Sequence, residues 1–314
     1  MKYIEEENSL VIKSWCNNPE IGAIEQAKNL ARLPFAFRQI CLMPDTHQGY
    51  GMPIGGVMAT KDAVVPNAVG VDIGCGMCAV RTSLKDITTE QIKSVFGGSK
   101  EYKGGIRSAI PTGFGKHSKK QDEHLMPDAS TLPTDSIVLR EWSNALHSLG
   151  TLGGGNHFIE IQKGSDGFIW AMLHSGSRNL GKQVADFYNK KAVELNEKWF
   201  SSVPKKWELA FFPLDDYLGQ RYLQEMQFCV DFALASRTLM MSMVMDAITA
   251  VFGSEVSFDN TVNIAHNYAR MEHHFGENVL IHRKGATSAR AFEVGIIPGS
   301  QGTSSYIVQG IGNE

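Results

Sequence analysis

What the sequence is short of narrows it before any motif is read. Neither charge sign dominates: 33 acidic residues stand against 30 basic ones, a net charge of −3. No global positive field would hold a polyanion, so such a partner must be met by a local patch. Long apolar runs free of charge are lacking as well. The most apolar stretch, Val230 to Phe252, contains Asp231, Arg237 and Asp246, which are costly at a bilayer centre, so a helix of a soluble protein is expected and no membrane partner. The N-terminal MKYIEEENSL is acidic, with no apolar segment behind a basic start. That argues against a secretion signal or transit peptide and for a cytoplasmic protein. Cysteines number five, odd and scattered: Cys16, Cys41, Cys75, Cys78 and Cys229. A disulfide framework is not expected, and the thiols are free or hold metal. Glycine, at 31 of 314 residues, is the one excess in an otherwise ordinary globular composition.

Along the first third, short apolar runs are broken by glycine and proline: Phe37 to Met43, Val57 to Thr60, Ala63 to Val65, Val69 to Ile73 and Cys78 to Thr82. These read as strands with tight turns. Thr112 to Asp135 reads as a long polar loop carrying Lys116, Lys119 and Lys120. Strand patterns at Phe158 to Ile161 and Phe168 to Leu173 precede a helix from about Lys182 to Phe200. A longer helix runs from Asp215–Asp216 to Gly253, with one apolar stripe through Leu218, Tyr222, Met226, Val230, Leu234, Met241, Met245 and Ile248. Short strands return at Val279 to Arg283, Ala291 to Ile297 and Tyr306 to Val308. With no linker or internal repeat, the expectation is one α+β domain over residues 1–314, its sheets shared by the two terminal thirds.

Histidines and glycines gather in loops at strand ends: MPDTHQGYG (43–51), GVDIGCGM (70–77), GTLGGGNHFIE (150–160), HSGSRNLG (174–181), NIAHNY (263–268), then RKGA (283–286) and PGSQGTSSY (298–306). Cys75 and Cys78 spell C-x-x-C, but no second pair completes a closed zinc knuckle, and flanking glycines argue against a thioredoxin-like dithiol. Asp72 and Cys75 with His157, His174 and His266 instead make a donor set of mixed hardness, suited to zinc, iron or manganese. Five donors exceed what one catalytic ion usually takes, which points to two ions bridged by a thiolate. His273 and His274, in a charged stretch, read as surface residues.

Gly176 to Lys182 has the G-x-x-x-x-G-K spacing of a phosphate loop, but Gln183 follows where that motif needs Ser or Thr for magnesium. What survives is a weaker anion site of backbone amides and Arg178 at a helix start. The glycines of 153–155 and 298–305 allow close backbone approach, and with Asn156, Glu160, Asn267, Ser300 and Ser305 they offer a nucleotide-sized set of donors and acceptors.

GVDIGCGM, GTLGGGNHFIE, HSGSRNLG and RKGA followed by PGSQGTSSY, in this order, resemble the RtcB family of RNA ligases. The resemblance implies an RtcB-like fold with mixed β-sheets around a central metal site and peripheral helices. It implies joining of an RNA 3′-phosphate or 2′,3′-cyclic phosphate to a 5′-hydroxyl with GTP and two Mn(2+) ions, through a guanylylated histidine, in tRNA splicing or RNA repair. By the same resemblance Asp72, Cys75, His157, His174 and His266 are metal ligands with Cys75 bridging. Asn156, His157, Phe158, Ile159 and Glu160, with His266, Asn267, Pro298, Gly299, Ser300, Gln301 and Ser305, form the GTP site, Glu160 reading the guanine. Arg178 and Lys284 meet phosphates of RNA or GTP, and Asp45 and His47 sit in a further family loop. An activating protein partner is left open. The family's H-G-A-G-R segment, whose histidine takes the guanylyl group, is absent from the 314 residues. The expectation is therefore a domain lacking that C-terminal segment, with metal binding kept and guanylylation lost. From a different class, a metal-dependent cyclic-phosphate phosphoesterase or a non-catalytic RNA- or nucleotide-binding protein would use the same five donors.

Overall fold

The computed structural model describes residues 1–100, 103–300 and 302–312. Two short strands, β1 (Lys2–Ile4) and β2 (Val11–Ser14), lead into helix α1 (Ile21–Ala31) and a long hairpin of β3 (Ala36–Tyr50) and β4 (Met52–Thr60). After β5 (Ala63–Val64) and a 3-10 turn come β6 (Gly76–Thr82), α2 (Thr89–Gly97), α3 (Gly105–Ala109) and α4 (Ile137–Ser148). The hairpin β7 (Phe158–Lys163) and β8 (Ile169–Ser175) is followed by α5 (Arg178–Lys198), β9 (Phe212–Pro213) and α6 (Tyr217–Phe252). The chain closes with β10 (Phe258–Ala265), β11 (Asn267–His274), β12 (Glu277–Lys284), β13 (Val294–Ile297) and β14 (Tyr306–Gln309).

The strands form a six-stranded sheet, β1-β2-β3-β4-β12-β11, a four-stranded sheet, β10-β6-β8-β7, and two small pairs, β13-β14 and β5-β9. Both large sheets draw strands from the two ends of the chain, as an α+β domain with shared sheets requires. Among the strands of the described residues, β2 and β3 pair in parallel and the other strand pairs are antiparallel.

Helix α6 is about 54 Å long at 1.5 Å per residue. Its boundaries follow the expected signals: the Asp216 carboxylate accepts the Leu218 amide hydrogen at 2.8 Å, and Gly253 takes φ 86° at the far end. By length and composition this helix could cross a membrane. Here, however, it is packed within the fold. Tyr222, Met226, Phe228 and Phe232 join α4 and α5 in one core cluster, while Met240, Met241, Val244 and Ile248 join β6, β8, α2 and α3 in another. The single stripe predicted for it is therefore widened, with Arg221, Glu225, Ser236 and Arg237 also buried. A helix packed on several sides cannot keep a fully polar face.

Other sequence expectations change as well. Val69 to Ile73 is not a strand: Gly70 (φ 91°) and Gly74 (φ 74°) take left-handed conformations that interrupt extension, so the segment turns. Helix α5 begins at Arg178, so the HSGSRNLG loop already contains its first turn. Helices α1, α2 and α4 escaped notice, though α2 carries a Thr88–Gln91 capping box and α1 buries Ala23, Ala27 and Leu30 at helical spacing. His274 stands on β11, within 2.9 Å of the fully buried Glu272 carboxylate.

Glu225, fully buried on α6, ties three helices together: it accepts the Val138 amide hydrogen at the start of α4 (3.0 Å) and the Tyr188 hydroxyl of α5 (2.6 Å). Replacing it leaves two buried donors unpaired. We expect Glu225→Ala to lower unfolding free energy by about 3 kcal/mol in urea titration, while a change below about 0.5 kcal/mol would show that these bonds contribute nothing net.

Candidate metal centre

The ends of four strands meet at one point. Cys75 stands just before β6, His157 just before β7, His174 in the last turns of β8 and His266 in the single-residue break between β10 and β11. Asp72 comes from the glycine turn below them. Cys75 Sγ is 3.1 Å from His174 Nε2 and 3.5 Å from His157 Nε2. His157 Nε2 is 2.9 Å from Asp72 Oδ2, and His174 Nε2 is 3.2 Å from His266 Nε2. The donors fall into two triads, Asp72–Cys75–His157 and Cys75–His174–His266, each with ligand atoms within 4.8 Å of one another. Cys75 belongs to both.

The hydrogen bonds behind the rings say what the facing atoms are. His157 Nδ1 lies 2.9 Å from the Leu152 carbonyl and His174 Nδ1 lies 3.0 Å from that of Asn156. Each Nδ1 must then donate, which turns Nε2 into the cluster, where in the neutral ring it is a lone pair. One lone pair thus confronts a carboxylate oxygen and another an imidazole nitrogen. Such contacts are unfavourable unless a proton or cation lies between them, and the donor set fits a cation. Burial lowers the His174 pKa to about 4 and the His266 pKa to about 3, so these rings are neutral at pH 7. Burial and the Asp72 carboxylate push the Cys75 thiol well up. For Asp72 burial acts upward, but the hydrogen bond and charge of His157, present when a proton rather than a cation lies between the two, outweigh it and hold the carboxyl below its ordinary value.

Two glycines beside these donors leave no room for a side chain. A Cβ on Gly176 would strike the Asp72 carboxylate, and one on Gly153 (φ 97°) would lie 2.5 Å from His157 Nδ1. The glycine excess seen in the sequence is spent here on close approach.

A family model described as tRNA-splicing ligase RtcB matches residues 26–142 and 133–314. The chain belongs to the RtcB family. It is 37% identical to the RNA-splicing ligase RtcB of Escherichia coli (strain K12) over 324 residues, spanning 96% of this chain and 78% of that protein. Against the tRNA-splicing ligases RtcB of Thermococcus kodakarensis and Pyrobaculum aerophilum it is 33% and 32% identical, spanning 91% of this chain and 72% of each relative.

Of the other residues expected from the RtcB resemblance, Arg178 stands beside the centre in a left-handed conformation (φ 59°), and its guanidinium donates to Thr151 Oγ1 at 3.0 Å and the Gly113 carbonyl at 2.7 Å. Lys182 pairs with Asp186 one turn on. Lys284 is buried, with Nζ donating to the Tyr50 and Asn67 carbonyls at 2.7 and 3.3 Å, and burial brings its pKa to about 8. It underlies Gly70 and so steadies the Asp72 turn. Asn267 does the same from β11, donating to the Asp72 carbonyl (3.0 Å) and accepting the Gly285 amide hydrogen (2.7 Å). Phe158 packs with Ile296 of β13 on the outer face of the four-stranded sheet, the face that Glu160, two residues on, shares. Ile159 turns to the opposite face, toward α6. Asn156 is exposed and gives its carbonyl to His174. Pro298, Gly299, Ser300 and Ser305 lie at the tip of the β13–β14 hairpin, where Gly299 N–H donates to Ser305 Oγ (3.0 Å). Gln301 lies outside the described residues. Asp45 and His47 are exposed on the β3 arm. Cys78, the other half of C-x-x-C, is buried in the α6-side core.

The residue that sequence reading passed over is Arg237. Fully buried on α6, its guanidinium donates to the carbonyls of Gly74 and Ser175, each at 2.8 Å, and to Asn263 Oδ1 at 2.8 Å. Those acceptors adjoin or neighbour Cys75, His174 and His266 in the chain. The signal was a charge in the middle of the most apolar stretch, read only as an argument against a membrane. We expect Arg237→Met, which keeps the volume and removes all donors, to cost about 3 kcal/mol or more of stability. Arg237→Lys should cost less. Equal urea midpoints for wild type and Arg237→Met would contradict the assignment.

Proposed function

We propose that the protein is an RNA ligase of the RtcB type, joining an RNA 3′-phosphate or 2′,3′-cyclic phosphate end to a 5′-hydroxyl end with GTP and two manganese ions. The observation that carries this is the pair of donor triads sharing one cysteine sulfur at strand ends, on a chain that the tRNA-splicing ligase RtcB model matches along most of its length. Asp72, Cys75 and His157 would hold one ion and Cys75, His174 and His266 the other. When bound, such ions neutralise charge on phosphate oxygens and polarise the phosphorus for attack.

The chain's own groups fit the remaining tasks. The Arg178 guanidinium spends its two hydrogen bonds on neutral oxygens, so its charge is available to a phosphate. Lys284 and Asn267 hold the Asp72 turn in register with the histidines. Phe158 and Glu160 lie on the sheet face covered by the β13–β14 hairpin, and that face is our candidate for the guanosine site.

Two measurements test the reading. Equilibrium dialysis with Mn(2+) should give two ions per chain, with Cys75→Ala weakening both and His266→Ala weakening one. Retention of both ions by Cys75→Ala would remove the shared-thiolate assignment. Ligation is assayed with labelled RNA ends, GTP and Mn(2+), on the 314 residues and on the full product of their reading frame. A joined product that disappears in Cys75→Ala is expected. Opening of the cyclic phosphate without GTP, and with no joining by either protein, would replace the ligase by a phosphoesterase using the same five donors.

A further inference from the structure

A cavity of about 620 Å³ opens beside the centre. Asp72 and His157 stand in its wall, so one of the two triads faces it, and Arg178, Lys116 and Lys182 bring cations to it. Its remaining wall includes Val71 and one aromatic, Phe114. Phe114 is 104% exposed, which means that neither ring face is packed on the protein.

The bareness of that ring does not come from a loose backbone. Thr112 forms a parallel bridge with Gly153, and Gly113 N–H donates to the Gly153 carbonyl at 2.6 Å. Leu152 N–H donates to Pro111 and Gly115 N–H to Thr112, each at 2.9 Å, and the Arg178 guanidinium holds the Gly113 carbonyl at 2.7 Å. The strand pair thus fixes the Phe114 Cα relative to the His157 loop. Glycines stand on both sides of the ring in sequence and across from it: Gly154 lies beside Gly113, and positions 113 and 155 have open space where a side chain would be. A planar group therefore has room, a hydrophobic ring face to lie on and a metal centre within the same cavity.

Chemistry selects the occupant. An apolar ring face next to cations suits a flat heteroaromatic joined to a phosphate. A nucleobase stacked on an aromatic side chain gains about 1–3 kcal/mol whatever its identity, because every base has a π-face. The cations divide by their partners: Lys182 is paired with Asp186 and Lys116 rests on Asn144 Oδ1 at 3.3 Å, while Arg178 bonds neutral oxygens. Arg178 and Lys116 are the two left to meet phosphate.

We propose that Phe114 is the stacking platform for the base of the terminal nucleotide of an RNA strand whose end group reaches the Asp72–His157 side of the centre. This rests on the RNA-ligase reading. It adds a subsite that reads no sequence and sets the distance of the RNA end from the donors by stacking.

The test uses the full chain with Mn(2+) and short RNAs carrying 2-aminopurine as the last base, at the 5′-hydroxyl end in one and at the 3′-phosphate end in the other. Wild type should quench the fluorophore at one of the two ends. Phe114→Ala should abolish that quench and weaken binding about 5- to 150-fold. Phe114→Trp should restore both, since indole stacks as well as phenyl. The salt dependence of binding should be unchanged in Phe114→Ala and shallower in Lys116→Ala, which removes a phosphate contact rather than a ring. Because Phe114 packs on nothing, its variants should melt with wild type. RNA binding with no quench at either end, or with equal quench in wild type and Phe114→Ala, overturns the stacking platform and leaves the ligase reading standing. Failure of wild type to bind either RNA overturns both.

Discussion

A single buried cation organises this molecule. Arg237 reaches from the middle of the longest helix into the space between strand ends, and its three hydrogen bonds go to segments that the chain places far apart: Gly74, Ser175 and Asn263. Each neighbours a donor of the metal centre. Burial lowers the guanidinium pKa to about 10, opposed by the nearby Cys75, Cys78 and Asp72, so it stays charged at neutral pH. A buried charge without partners would cost several kcal/mol, and here the partners are the loops that must be brought together. Desolvation therefore disfavours conformations in which any of these loops drifts away.

The same charge makes the donor cluster tolerable before any cation arrives. Burial keeps His174 and His266 neutral and Cys75 protonated, so Asp72 is the one formal negative charge inside and Arg237 the positive charge set near it. Five converging donors could otherwise repel one another and open the strand ends. Preorganisation of this kind lets a cation find lone pairs already aimed, since Leu152 and Asn156 fix the ring orientations from behind.

The sequence discloses the site better than the scaffold. The convergence of these five side chains was legible because Asp72, Cys75, His157 and His174 stand in glycine-rich loops, where backbone approach and polar side chains coincide, and His266 stands between asparagines at a strand end. The long helix was legible because Asp216 and Gly253 punctuate it. What failed was local pattern without tertiary context. Val69 to Ile73 alternates like a strand, yet Gly70 and Gly74 turn it so that Asp72 can face His157. The apolar periodicity of α6 shows one stripe, but packing on several sides buries Arg221, Glu225 and Arg237 as well. A polar residue in an apolar run looks like a violation of pattern in sequence and acts as a joint in the fold.

Access distinguishes the two triads. Asp72 and His157 border the 620 Å³ cavity, while Cys75 and His174 are buried behind them. His174 instead meets Phe158 ring to ring at 5.6 Å, on the side of the four-stranded sheet where Ile296 of the β13–β14 hairpin packs. The shared thiol thus sits between a cavity wall carrying cations and an apolar sheet face covered by the hairpin. This asymmetry follows from building the centre where the ends of four strands converge: the loops on one side leave a cavity open to the Asp72–His157 edge, while the sheet face on the other is closed by the hairpin.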